Sequence, residues 1–292
     1  MKRRVIVTGI GAVSPNGIGR EAFWSSTLQG KSGVRRIESF DATTLPVRIA
    51  GEIVGFDPLQ YVSEKDAANI SRVVPLAIAA ASEAIQDAGL NPPSMPLEEL
   101  RRTAVMLGSG GGGQEFVQRQ LALYLSGQAK QCSVYTIPSA TMGTLASEIS
   151  MHFGFRGFSH VITTGCTSST DALGYAVQHI QCGTADRVIC GGADAPLSFF
   201  IVKGFTIMRI LTSSWNEQPE RGSRPFSADR DGFVLGEGAW MFVLEEFERA
   251  MARGAGIYGE ITGYGSTCEA FHRVRLGEDG DEPARAIRLA ME

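Results

Sequence analysis

Short apolar runs alternate with helical patterns along the chain, and the alternation sets the first expectations. Val5–Thr8 and Thr103–Leu107 read as strands, each a compact run rich in β-branched and aliphatic residues. Arg20–Gln29 reads as a helix ending at Gly30. Pro75 suits the first turn of a helix running to Ala88, with Gly89 as its left-handed stop. Ala140–Phe153 reads as a further helix. Then follow strand Ser159–Thr164, helix Thr167–Cys182 stopped by Gly183, and strand Arg187–Cys190. Trp240–Leu244 reads as a strand feeding helix Glu245–Arg253. Strands and helices in this order predict an α/β fold with mostly parallel strands and right-handed crossovers. The 35 glycines stand at the ends of apolar segments, so they punctuate structure and do not form linkers.

One internal echo complicates a single-unit reading. Val5-Ile6-Val7-Thr8-Gly9-Ile10-Gly11 resembles Gly259-Glu260-Ile261-Thr262-Gly263-Tyr264-Gly265. Both are strand-like runs ending in T-G-x-G. A chance match of short motifs competes with a duplicated fold whose second copy starts near Gly256.

Bulk properties then narrow the class. The 292 residues are 43% hydrophobic and 20% charged, ordinary values for a globular protein. A net charge of −4 gives no basic field to draw the chain to nucleic acid or a membrane. The opening MKRR-VIVTGI faintly suggests a signal peptide, but Gly9 and Gly11 interrupt the apolar run. No stretch approaches the roughly 20 apolar residues that span a bilayer. Five cysteines without a C-x-x-C pair fit neither a disulfide framework nor a zinc site, so no metal is expected. These features point to a cytoplasmic protein.

The segment Ile162-Thr163-Thr164-Gly165-Cys166-Thr167-Ser168-Ser169 carries the clearest chemistry. A strand delivers the chain to Gly165, which permits a tight turn. The helix beyond it has Ala172, Leu173, Ala176, Val177 and Ile180 on one face. Cys166 therefore stands at a helix start, where free N–H groups and the positive dipole end favour a thiolate. Thr167, Ser168, Ser169 and Thr170 can cap that end. The competing reading is a small buried hydrophobe, and it suits Cys132, Cys182, Cys190 and Cys268 better than Cys166.

The glycine-rich runs raise a nucleotide-binding alternative. Gly9-Ile10-Gly11-Ala12-Val13-Ser14 has Ser14 where the dinucleotide fingerprint needs its third glycine or alanine, and Pro15-Asn16-Gly17 breaks the helix due there. Gly108-Ser109-Gly110-Gly111-Gly112-Gly113 lacks the Lys-Ser/Thr of a phosphate loop. Close approach of backbone to a substrate or to neighbouring chain explains these glycines better. Ser223–Gly238 reads as a charged loop whose Phe226, Phe233 and Val234 should pack it down.

Several motifs together resemble a known family. Thr164-Gly165-Cys166-Thr167-Ser168, Gly191-Gly192-Ala193-Asp194, S-R-P-F-x-x-x-R-D-G-F-V-L-G-E-G and V-T-G-I-G-A-V-S-P-N-G are similar to β-ketoacyl-acyl carrier protein synthase II. The Gly-Cys-Thr-Ser form with Asp171-Ala172-Leu173-Gly174-Tyr175-Ala176 is closer to the catalytic ketosynthase subunit of bacterial type II polyketide synthases. The resemblance implies a thiolase-like fold, layered α-β-α-β-α, with the first half complete in residues 1–255 and the second only begun in residues 256–292. It implies a homodimer, or a heterodimer with a second ketosynthase-like subunit. No cofactor is implied beyond the phosphopantetheine arm of the acyl carrier protein that brings the substrate. The implied reaction is decarboxylative condensation of an acyl-Cys166 thioester with malonyl carrier protein, in polyketide or fatty-acid synthesis, with the Cys166 N–H as half of an oxyanion hole.

The family pattern also needs two histidines, in H-G-T-x-T and G-H motifs, with a lysine between them. Neither motif occurs in these 292 residues, whose histidines are His152, His160, His179 and His272. The chain thus resembles the amino-terminal two-thirds of a ketosynthase. His272 matches a family position near the pocket mouth. Gly111 stands where fatty-acid enzymes carry a bulky aliphatic residue, and Thr136 where an aromatic residue from across the dimer is usual. Both imply a wider acyl tunnel, suited to a long, unsaturated or polyketide chain. A biosynthetic thiolase fits poorly with the S-R-P-F block. A non-catalytic or acylation-only partner subunit is the remaining alternative, although such subunits commonly replace the cysteine. An acidic carrier protein calls for a basic rim, for which Lys65, Arg72, Arg209, Arg221 and Arg224 are candidates.

Overall fold

A computed structural model of the chain describes residues 2–292; Met1, the first residue of the expected amino-terminal half, lies outside them. In chain order the strands are β1 (Val5–Ser14), β2 (Gly17–Ile18), β3 (Arg35–Arg36), β4 (Ile49–Ala50), β5 (Thr103–Gly108), β6 (Ser159–Ile162), β7 (Arg187–Asp194), β8 (Gly238–Glu246) and β9 (Gly259–Glu260). The helices are α1 (Arg20–Leu28), α2 (Glu64–Ala67), α3 (Val73–Asp87), α4 (Leu97–Arg101), α5 (Gln114–Leu125), α6 (Thr136–Ala140), α7 (Thr144–Phe153), α8 (Ser168–Gln181), α9 (Phe199–Ile207), α10 (Phe247–Ala252) and α11 (Asp281–Met291).

The main sheet runs β2-β1-β8-β7-β5-β6, with β9 also on β1, and β3 pairs β4 separately. Only β5–β6 and β5–β7 are parallel. β1–β8, β7–β8, β1–β2 and β1–β9 are antiparallel. The sheet is therefore mixed, which corrects the expectation of mostly parallel strands. The reversal lies at β8, which runs antiparallel to both β7 and β1; α9, between β7 and β8 in the chain, packs on α5.

Period-two alternation places the core on both faces. Val105, Leu107, Ile189, Met241 and Val243 face α3 and α7, while Ala104, Met106, Val188, Cys190 and Leu244 face α8. The apolar stripe expected on α8 is in place, with Ala172, Ala176, Val177 and Ile180 buried and Leu173 partly so. Eleven of the 15 residues of α3 are buried, so it is covered almost all round. The described residues thus build an α-β-α sandwich. The expected helix 140–153 is broken at Thr141–Gly143 into α6 and α7.

The T-G-x-G echo is matched in packing. A Cβ at Gly9 or Gly11 would clash with the carbonyl oxygens of Ala84 and Ala80, one turn apart on α3. A Cβ at Gly263 or Gly265 would clash with those of Ala290 and Ala286, one turn apart on α11. In each run the glycines let an extended segment press onto a helix backbone. α11 itself buries no residue.

Candidate active site

Beyond β6, Thr163 and Thr164 lead into one 3-10 turn, Gly165–Thr167, which runs directly into α8. Gly165 has φ +69°, a conformation that side chains disfavour, and Cys166 follows it to the surface. The hydroxyls near the helix start do not cap it: Thr167, at the N-cap, makes no capping bond. They fasten the turn instead. The buried Ser168 hydroxyl donates to the Gly165 carbonyl at 2.6 Å and accepts the Thr164 N–H at 2.9 Å. The Thr164 and Thr167 hydroxyls both donate to the Asp171 carboxylate, Thr167 at 3.0 Å. Sequence reasoning passed over Asp171, although Thr167 and Asp171 stand four apart, the spacing of neighbours on one helix face.

The glycine loop after β5 lies against this turn. A Cβ on Gly110 would stand 3.2 Å from the Gly165 carbonyl oxygen. β5 and β7 are parallel neighbours with Gly108 opposite Gly192, so both chains leave the sheet at the same edge. There the Asp194 carboxylate accepts N–H groups from Gly110 at 2.9 Å, Gly111 at 2.8 Å and Gly112 at 2.9 Å, plus the Ser109 hydroxyl at 3.0 Å. Consecutive N–H groups of this kind make an anion nest. The nest is filled by the protein's own carboxylate, a physical reason for the loop not to hold a phosphate.

The remaining predicted residues fall at varying removes. Gly111 belongs to the loop beside Cys166; a side chain there would meet nothing nearer than Asp194 Oδ1, at 3.8 Å from its Cβ. Thr136 opens α6, where its hydroxyl is tied to Ser133 O at 2.6 Å and Gln120 Oε1 at 3.2 Å. His272 is exposed, and its Nδ1 accepts the N–H groups of Val274 and Arg275 at 3.0 and 3.1 Å. The other histidines are engaged elsewhere. His152, with Glu148 and Asp66, lines a cavity of about 480 Å³. Burial pushes His152 down and Glu148 up. His160 stacks on Phe158, and His179 packs tilted against the same ring.

The loop before β8 is anchored, but not by all its aromatics. Phe233 packs edge-on against Phe205, whereas Phe226 is 99% exposed, contrary to expectation. Arg224 lies 3.9 Å over Trp215 and pairs with Asp229 at 2.6 Å. Asp231 takes the Ser213 and Ser214 N–H groups and the Thr212 hydroxyl. Of the candidate rim cations, Arg72 is committed inward. It pairs with buried Glu237 at 2.8 Å and donates to the Ile53 carbonyl, while its side chain stays partly exposed.

The model of the β-ketoacyl synthase N-terminal domain matches residues 2–250. The chain belongs to the β-ketoacyl synthase family. It is 39% identical to the 3-oxoacyl-[acyl-carrier-protein] synthase 2 of Vibrio cholerae, covering 99% of this chain and 69% of that protein. It is 38% identical to the tetracenomycin polyketide synthase ketoacyl synthase alpha subunit of Streptomyces glaucescens, covering 100% of this chain and 69% of that one. Among solved structures, the ishigamide ketosynthase/chain length factor superposes with a TM-score of 0.89 at 31% identity, over 100% of this chain and 70% of that one. A type II polyketide ketosynthase bound to the hexaketide, in complex with its acyl-carrier protein, gives a TM-score of 0.86 at 31% identity, over 100% and 69% of the two chains. The fold of this β-ketoacyl synthase family member is accordingly thiolase-like. None of its described helices is long and apolar enough to cross a membrane.

Proposed function

We propose that this chain carries the acyl-accepting half of a decarboxylating β-ketoacyl synthase, with Cys166 as nucleophile. One observation bears most of the weight: an exposed thiol at the start of an α-helix, presented by a left-handed glycine and flanked by the glycine loop. The Cys166 sulfur attacks the carbonyl carbon of an acyl thioester on the carrier arm. The tetrahedral oxyanion receives the Cys166 backbone N–H, and the arm leaves as its thiol with the proton from Cys166. Malonyl carrier protein then loses carbon dioxide, and the electron pair of the broken bond attacks the acyl carbon. The C–S bond to Cys166 breaks, and its sulfur takes a proton from solvent water.

The substrate is an acyl chain on an acidic carrier protein, in polyketide or fatty-acid assembly, and the working unit is a dimer. Gly111 and Thr136 leave more room than bulky residues would, which favours a long or polyketide chain. Residues 2–255 make up the nucleophile-bearing half and residues 256–292 the start of a second.

A second reading has its own observation. His152, His160, His179 and His272 are all engaged away from the 164–167 turn. The proton transfers that accompany decarboxylation and condensation thus have no imidazole at hand, and the chain could accept an acyl group without extending it. Incubation with acyl carrier thioester and then malonyl carrier protein separates the two. An acyl mass on the Cys166 peptide followed by a β-ketoacyl product supports full activity. Acylation alone supports the second reading, and no acyl mass on Cys166 overturns both.

A further inference from the structure

Asp171 sits five residues beyond Cys166, is only 6% exposed, and gathers hydroxyls from two distant parts of the chain. Thr164 and Thr167, the residues that bracket Gly165 and Cys166, donate to Oδ2. The Tyr264 hydroxyl, from the second T-G-x-G run, donates to Oδ1. Burial pushes the Asp171 carboxyl up, but the hydroxyls of Thr164, Tyr264, Thr167 and Ser266 outweigh it and hold the group below the ordinary carboxylate range. Burial and the bond to Asp171 push Tyr264 up to about 12. At neutral pH the pair is therefore a carboxylate accepting a hydrogen bond from the Tyr264 hydroxyl, a charge-assisted bond of the stronger kind.

A second feature supports the same arrangement. One turn beyond Asp171, a Cβ at Gly174 would stand only 2.3–2.5 Å from atoms of the Tyr264 ring. Gly174 thus opens the slot through which Tyr264 crosses α8 to reach Asp171. The slot and the acceptor serve one contact.

We propose that Asp171 is a positioning residue for the nucleophile: its carboxylate clamps both ends of the 164–167 turn and ties them, through Tyr264, to the segment that follows β9. The proposal rests on the reading of Cys166 as nucleophile. Asp171 does its work through Thr164 and Thr167, which hold the turn that presents the thiol at the start of α8. With the clamp released, the turn keeps its sequence but loses its fixed orientation.

The test uses two readouts on the same protein. The first is alkylation by iodoacetamide, followed peptide by peptide. Cys182, exposed at the other end of α8, is the internal reference for the integrity of that helix. Asp171→Asn should slow labelling of Cys166 relative to Cys182 by about threefold or more, because thiolate character sets the rate. Gly174→Ala should do the same by displacing Tyr264. Tyr264→Phe keeps the ring in its slot and the charge on Asp171, so a smaller fall there assigns the effect to geometry and not to charge. It also serves should Asp171→Asn fail to fold. The second readout is acyl transfer, where kcat should fall with KM held. An unchanged Cys166-to-Cys182 ratio in folded variants overturns the proposal, as does a parallel fall at both cysteines. Should wild-type Cys166 label fast but accept no carrier-borne acyl group, a fall in the ratio would sustain the clamp and sink the proposed reaction.

Discussion

The Asp194 carboxylate holds Gly111 by its backbone N–H at 2.8 Å, and in doing so closes the glycine loop around the end of β7. Two neighbouring N–H groups and the Ser109 hydroxyl converge on the same side chain. An amide in its place would point N–H at N–H. Asp194→Asn should therefore cost about 2 kcal/mol, the scale of losing charge-assisted hydrogen bonds. Urea denaturation would show a lower midpoint at unchanged slope. Acylation of Cys166 should slow as well, because the loop packs against Gly165.

Removal of the nucleophile separates chemistry from stability. The Cys166 side chain is exposed and makes no hydrogen bond that holds the turn, which rests on Ser168, Thr164 and Thr167. Cys166→Ala should abolish acylation while shifting stability by no more than about 0.5 kcal/mol, as for ordinary surface changes. Intact-mass analysis after incubation with acyl carrier thioester reads the first, and thermal melting the second. A marked drop in melting temperature would show that Cys166 is a packing residue.

The paired glycines differ in what their helices are doing. Gly11 presses onto α3, which is buried almost all round, and Gly265 presses onto α11, which buries nothing. Gly11→Ala should cost at least the roughly 1–3 kcal/mol of overpacking a core. Gly265→Ala should leave the main unfolding transition in place and raise amide exchange only in residues 261–291. Hydrogen exchange with urea melts of both variants checks the contrast. Equal global loss from the two would place α11 within the same cooperative unit as α3.

How much was legible in the chain follows from what each signal depends on. The strand–turn–helix around Cys166 was readable because local rules govern it: a β run, a glycine and a helical stripe. The direction of β8 was not. Trp240–Leu244 announces a strand but says nothing about which neighbour it meets or in which sense. Asp194 was invisible as a site residue, because its partners, Gly110–Gly112, are brought to it only by the fold; Asp171 showed only its spacing to Thr167, while its partner Tyr264 is likewise supplied by the fold. Phe226 shows the limit of reading burial from composition: an aromatic within a charged loop was expected to pack and stands 99% exposed. The family resemblance supplied what the residues alone could not, the nature of the group that Cys166 carries.

The charged cluster at the start of β7 and the end of β8 gives the protein a defined acid sensitivity. Glu245 is 1% exposed and lies between Arg187 at 3.0 Å and Arg253, with the Thr8 hydroxyl at 2.6 Å. Burial pushes its carboxyl up, but Arg253, Arg187 and Thr8 more than offset this and hold it below the ordinary value. Asp186 is likewise lowered, chiefly by its bond to Arg102, with Arg249 and Arg3 contributing. Groups whose folded pKa lies below the unfolded one, near 4, stabilise the fold fully above that value. The contribution is lost as pH falls through the folded pKa, because the unfolded chain then binds more protons. The carboxylates' share of the urea midpoint should be level above about pH 5 and decline below about pH 4, apart from an earlier fall near pH 6.5 from His152 and His179, which burial holds below the ordinary histidine value. Glu245→Gln leaves Arg187 buried with less compensation and should cost about 3–5 kcal/mol at pH 7. Its deficit relative to the wild type should shrink steadily below pH 4, where the wild-type carboxylate is itself being protonated. A deficit of constant size from pH 7 to pH 3 would show that the charge on Glu245 plays no part in holding these strands together.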